Sequence, residues 1–113
     1  MSHFDRTHEF EKEFARLHKK YRTLDKDLAR FESVLKLMPT GTGKIFTIIH
    51  SSPEVVIVKA RLACKALRDQ SLRIIYAYHE HTISFMHIEI YFKGDKPNED
   101  RERIKEYIKK IKR

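Results

Sequence analysis

Four cations in the middle of this chain have the spacing of a phosphate grip. Lys59 and Arg61 alternate with apolar residues in the run Val55–Cys64. Arg73 does the same in Leu72–His79, and Lys93 closes Ile83–Lys93. A strand sends alternate side chains to opposite faces. If the three runs are neighbouring strands, Lys59, Arg61, Arg73, His87, Tyr91 and Lys93 share one face of a sheet. Cations held close together on a rigid sheet repel one another, and a bound anion relieves that. Phosphate is the anion that the arginine fork matches best. Tyr91 would add a flat ring for base stacking and a phenol for proton transfer.

On RNA such a cluster needs no metal. The substrate's own 2′-OH attacks the adjacent phosphorus. The protein orients that hydroxyl, neutralises the charge on a phosphorane-like transition state and protonates the leaving oxygen. Arg73, Arg61, Lys59, Lys93 and Tyr91 are therefore the candidate catalytic residues. Lys65, Arg68, Lys96 and His87 are candidates for further RNA contacts. The competing reading is a polar outer face on a half-solvated sheet, and alternation alone does not separate the two.

Other chemistries have less support. The chain holds neither G-x-S-x-G nor C-x-x-C. Met38–Lys44 ends in GTGK, but the earlier glycine of G-x-x-x-x-G-K-[ST] is missing and Ile45 follows the lysine. It reads as a connection from helix to strand. His79, His81 and His87 straddle a turn, whereas zinc usually takes four well-spaced ligands and Cys64 is remote. They read as turn and strand-surface histidines, so no metal and no other cofactor is expected.

The elements that must position these residues follow from periodicity. β-branched and aromatic residues dominate the three runs, and short breaks between them imply an antiparallel meander. In front of them Thr7 reads as an N-cap. Phe10, Phe14, Leu17 and Tyr21 then make one helical stripe, and Leu24, Leu28, Phe31 and Leu35 make a second. Tyr21–Leu24 is a tight connection between two helices. Ile45–Ile49 is a short strand, and Ser2–Asp5 has room for an edge strand. A last helix opens at Asn98 or Glu99, with Ile104, Ile108 and Ile111 on one face. The expected fold is α+β: an N-terminal helical hairpin packed on an antiparallel sheet of three to five strands, with a C-terminal helix. All helices are expected on one face, and the face bearing Met86, Ile88, Ile90 and Phe92 is expected to be the apolar one.

At 113 residues the chain suits one domain (1–113) with a modest core. The hydrophobic fraction of 41% argues against disorder, and the net charge of +8 points to a polyanion partner. Five basic residues face two acids in 54–78, and nine face five in 93–113. A single cysteine, Cys64, fits a reducing compartment. No apolar run approaches the ~20 residues that span a bilayer, and Met1–Phe10 is polar. A cytoplasmic protein without membrane contact is expected.

The run VVIVKARLACKALRDQSLRIIYAYHE with FMHIEIYFKGDKPNEDRERI resembles the RelE/ParE superfamily of toxin–antitoxin toxins, on its ribonuclease side. FEKEFARLHKKYRTLDKDLARF resembles the helical hairpin of that family, so the likeness covers nearly the whole chain. Its most specific part is R-I-I-Y following a K-x-R strand. The resemblance implies a toxin of a type II toxin–antitoxin system that cleaves mRNA, commonly on the ribosome, by metal-independent 2′-OH attack. It also implies a cognate antitoxin as partner. Lys59 and Arg61 would correspond to the phosphate-contacting strand pair, Arg73 to the arginine of R-I-I-Y, and Lys93 to the basic residue ending the last strand, with Lys96 nearby. Family ribonucleases often carry an arginine then a tyrosine, or a histidine–tyrosine pair, near the C-terminus. Here Lys93-Gly-Asp-Lys96 leads into a charged helix instead. Tyr91 and His87 are substitutes suggested by alternation. The alternative is a non-catalytic RNA-, ribosome- or antitoxin-binding module of the same fold.

Overall fold

A computed structural model describes residues 3–68 and 70–111. Strand β1 (His3–Arg6) leads into helices α1 (His8–Lys20) and α2 (Leu24–Leu37). Strands β2 (Phe46–Ser51), β3 (Val56–Ala63), β4 (Ser71–His79) and β5 (Ser84–Phe92) follow, and helix α3 (Arg101–Ile111) comes last. The sheet order is β1-β5-β4-β3-β2. β2 to β5 form the expected antiparallel meander, and β1 adds to the edge of β5 in parallel. The fold is α+β.

The helical hairpin forms as its stripes require. Thr7 caps α1 by accepting a hydrogen bond from the Phe10 N–H at 3.1 Å. Phe10, Leu17, Leu24, Leu28 and Leu35 are buried against Val58, Leu62, Ile74 and Ile90 of the sheet. Each fully buried leucine contributes about 1.5–3 kcal/mol. Asp27 fastens the hairpin to the turn that follows β3: it accepts from Thr23 Oγ1 at 2.8 Å and from the Lys65 N–H at 3.3 Å. The segment after Met38 is a loop, and Gly41 (φ 70°) and Gly43 (φ 83°) occupy the left-handed region there.

Two expectations need correction. First, α3 does not join α1 and α2. It packs on the opposite face, where Ile104 lies with Val55, Ile57, Ile75, Ala77 and Ile88 in a second core. Those apolar residues interrupt the face assigned to the cations, and a half-apolar face left open to water would be unfavourable. The sheet is thus covered on both sides, on the second only in part.

Second, β5 changes phase. Ile75 pairs with Glu89 but Tyr76 pairs with His87, so Ile88 is the extra residue of a β-bulge. Thr7 Oγ1 and Arg103 Nη1 donate to its carbonyl at 3.2 and 3.0 Å. Before the bulge, Phe85 and His87 face α1 and α2; after it, Ile90 and Phe92 do. Met86 and Ile88 therefore belong to the α3 side, not to the face of Ile90 and Phe92.

α3 is anchored by polar contacts as well. Asp100 accepts from the Arg103 N–H at 3.1 Å and caps the helix. Arg103 then grips Glu13 of α1 with both ends of its guanidinium, at 3.0 and 2.9 Å. Glu13 also accepts from the Ile90 N–H at 3.2 Å. This clamp joins the two helical layers around the part of β5 that β1 does not cover. No helix among the described residues is long and apolar enough to cross a membrane.

Candidate nucleic-acid interface

Because α3 covers only part of its face, a groove of about 640 Å³ remains between it and strands β2 to β4. Among the described residues seven basic ones line it (Lys44, Lys59, Arg61, Arg73, Lys93, Arg101 and Lys105), against one carboxylate, Glu99. Arg61, Arg73 and Lys93 also line a second hollow of about 400 Å³ at the end of the sheet, with Ser71, Gln70 and Gly94. These three cations thus border both hollows.

Strand register explains the grouping. Arg61 and Arg73 are direct cross-strand partners, and Arg73 pairs on its other side with Tyr91. Like charges directly opposite each other destabilise a sheet. Arg73 is held along its own strand, where Nη1 donates to the Ser71 hydroxyl at 3.0 Å and the Ser71 carbonyl at 3.3 Å. Arg61 and Lys93 are exposed. Among the described residues, the ion pairs of this region go to Lys59, Lys96, Arg101 and Lys105, and none goes to Arg61, Arg73 or Lys93. Three unneutralised cations at one end of a sheet attract a polyanion.

Lys59 is at the same groove in a different electrostatic state. Its ammonium donates to Glu99 at 2.9 Å, and the Glu99 side chain is 7% exposed. Arg101 approaches the other Glu99 oxygen at 3.6 Å. Burial works against charge on both members of the Lys59–Glu99 pair. Their mutual hydrogen bond and attraction outweigh it, so the lysine pKa is raised and the glutamate pKa lowered. Both stay ionised at neutral pH. Lys59 therefore carries its own counter-anion within the groove.

Tyr91 is not placed to stack on a base. It is 4% exposed, and the Lys96 ammonium sits 5.1 Å from its ring centre. Its hydroxyl lies near Lys59 without a well-formed hydrogen bond. Burial raises the phenol pKa despite that ammonium, so the phenol keeps its proton at neutral pH. Lys96 itself pairs with the fully buried Glu89, whose other oxygen accepts from the Asp100 N–H at 2.8 Å. These contacts tie the start of α3 to β5 instead of pointing Lys96 into the groove.

The remaining candidates lie elsewhere. His87 is fully buried on the α1/α2 side, because the Ile88 bulge moves it off the cation face. There it bonds Glu32 at 2.8 Å and stacks near Phe4 and Phe10. His79 is on the α3 side, bonded to the Tyr107 hydroxyl at 2.6 Å. His79 and His87 therefore do not converge. Lys65 and Arg68 are exposed on the β3–β4 connection, and neither lines the groove.

Several groove residues were not singled out by sequence: Lys44, Arg101, Lys105, His50 and Glu99. Arg101 and Lys105 did carry a signal, because they stand one helical turn apart beside Ile104 and Ile108. Lys44 and His50 depend on how the loop and β2 approach α3, and no local pattern encodes that. In comparisons with known proteins, no protein-family model and no curated protein matches this chain.

Proposed function

We propose that the chain is a RelE-like toxin of the RelE/ParE superfamily: a metal-independent endoribonuclease that cleaves mRNA, acting on the ribosome in the cytoplasm and restrained by a cognate antitoxin. The observation that carries this reading is the group formed by Arg61, Arg73 and Lys93 at the junction of two hollows, with no ion pair among the described residues. In the proposed mechanism Arg61 and Arg73 hold the non-bridging oxygens of one phosphodiester. Lys93 meets the charge that develops as the 2′-oxygen, its proton passing to water, bonds to phosphorus, and its ammonium protonates the 5′-oxygen as the P–O5′ bond breaks. Lys59 joins them when the RNA draws it from Glu99. An acidic antitoxin would cover the same cations.

A second reading has a specific observation behind it. Tyr91 is buried, His87 faces the other side, and Lys59 is paired. A groove to which neither of the expected proton-transfer rings, Tyr91 and His87, is open suits a module that binds RNA, or an acidic partner, without cutting. Induced expression separates the two. The ribonuclease reading expects growth arrest with mRNA cleavage, relieved by Arg73→Ala. Soluble, folded protein that leaves growth and mRNA intact would refute it.

A further inference from the structure

We propose that the stretch of groove between β2 and α3 is a nucleotide subsite: it seats the base next to the phosphate at Arg61 and Arg73, with His50 contacting that base. The inference rests on the RNA-binding reading and adds a second binding site to it.

The wall chemistry singles out such a ligand. Ile45, Ile49, Ile104 and Ile108 provide an apolar surface, while Lys44, Arg101 and Lys105 are exposed around it. A nucleotide has flat apolar faces and an anionic backbone, which match those two features together. The volume of about 640 Å³ falls in the range of pockets that hold small ligands, roughly 300–1,000 Å³. The groove is continuous with the cations at the end of the sheet, so one strand of RNA can reach both.

His50 supplies the polar contact. Ile48 pairs with Val58 and His50 pairs with Ile57, so Ile49 is an extra residue in β2. This bulge brings Ile49 and His50 together to the groove wall. The His50 Nε2 is out of solvent and has no hydrogen-bond partner among the described residues. A buried polar atom without a partner is unfavourable; turning the half-buried imidazole toward the groove it lines would open that nitrogen to a base edge, which offers donors and acceptors of matching kind. Aliphatic side chains alone would hold any base; an imidazole at the wall gives preference.

Uridine hexanucleotides with 2′-O-methyl sugars cannot be cut by 2′-OH attack, so their binding can be followed by fluorescence anisotropy. Replacing one uracil at a time by an abasic residue is expected to weaken binding at least tenfold at one position. Placing the other three bases at that position should give unequal affinities in the wild type and nearly equal ones in His50→Ala. His50→Gln, which keeps a donor and an acceptor, should preserve a preference. Lys105→Ala should flatten the salt dependence by roughly 0.7 in log–log slope, as expected for one lost phosphate contact on a single strand. Abasic probes that bind as tightly as intact ones at every position would overturn the inference while leaving RNA binding standing. So would an unchanged preference in a folded His50→Ala. Failure of the wild type to bind any of these RNAs, or stronger binding of an acidic peptide of equal charge, would remove the RNA reading and this inference together. The abasic series needs only the wild type, so a poorly folding variant does not leave the question open.

Discussion

Glu99→Gln isolates the electrostatics of the groove. Among the described residues Glu99 is the one carboxylate lining the groove, and it holds the Lys59 ammonium at 2.9 Å. Glutamine keeps the shape and removes the charge. The repulsion on a phosphodiester at Arg61 and Arg73 can be bracketed by taking it at roughly 6–8 Å from that carboxylate, across the same groove. With an effective dielectric between those of protein and water, about 40, the repulsion is about 1–1.4 kcal/mol. Relief of that amount tightens binding roughly five- to tenfold. Lys59, released from its partner, would add one phosphate contact and steepen the salt dependence by about 0.7. The pair also anchors the start of α3, and because Lys59 is 28% exposed its loss should cost only about 1–2 kcal/mol of stability. Anisotropy with a non-cleavable RNA, at several salt concentrations, measures the first two effects; thermal unfolding measures the third. A folded Glu99→Gln protein whose affinity is unchanged or weaker would refute the view that Lys59 belongs to the phosphate site.

Two further perturbations test the scaffold. Arg103→Ala removes the clamp between α3, Glu13 and the Ile88 carbonyl, and leaves a largely buried carboxylate with one backbone donor. The expected loss is about 2–3 kcal/mol, or a melting temperature lower by roughly 10 °C; a change under ~2 °C would contradict the role given to the clamp. Burial lowers the pKa of His79 below its ordinary value of 6.5. The unfolded chain therefore takes up that proton first, so stability is level above about pH 7 and declines below about 6.5. His79→Gln should flatten that decline. A second loss should follow at lower pH, where Asp27 protonates: burial raises its pKa, but the hydrogen bonds from Thr23, Cys64, Arg30 and Lys65 outweigh burial and lower it. Identical pH profiles for His79→Gln and wild type would contradict the assignment.

The three central strands were legible because strict alternation of β-branched residues with cations survives in sequence. So were both helices of the hairpin, through their apolar stripes and Thr7. The phase of β5 was not legible. Phe85–Phe92 reads as unbroken alternation, and only Thr7, 81 residues away, and Arg103 reveal that Ile88 is an inserted residue. His87 was misplaced for that reason alone. The position of α3 does have a trace in the sequence: Ile57, Ile75 and Ala77 share a face with Lys59, Arg61 and Arg73, and so many apolar side chains require a cover. The charge state of the groove was hidden for a related reason. Lys59 meets Glu99, and Lys96 meets Glu89, only once the chain after β5 has folded back over the sheet.

RNA end chemistry gives the most direct test of the proposed activity. Translating ribosomes carrying a defined mRNA are incubated with the protein, and the new 3′ ends are characterised. Attack by the 2′-OH predicts cuts bearing 2′,3′-cyclic phosphate, produced by the wild type and lost by at least a hundredfold in a folded Arg73→Ala variant. Intact mRNA, or cuts that persist at full rate without Arg73, would contradict the account.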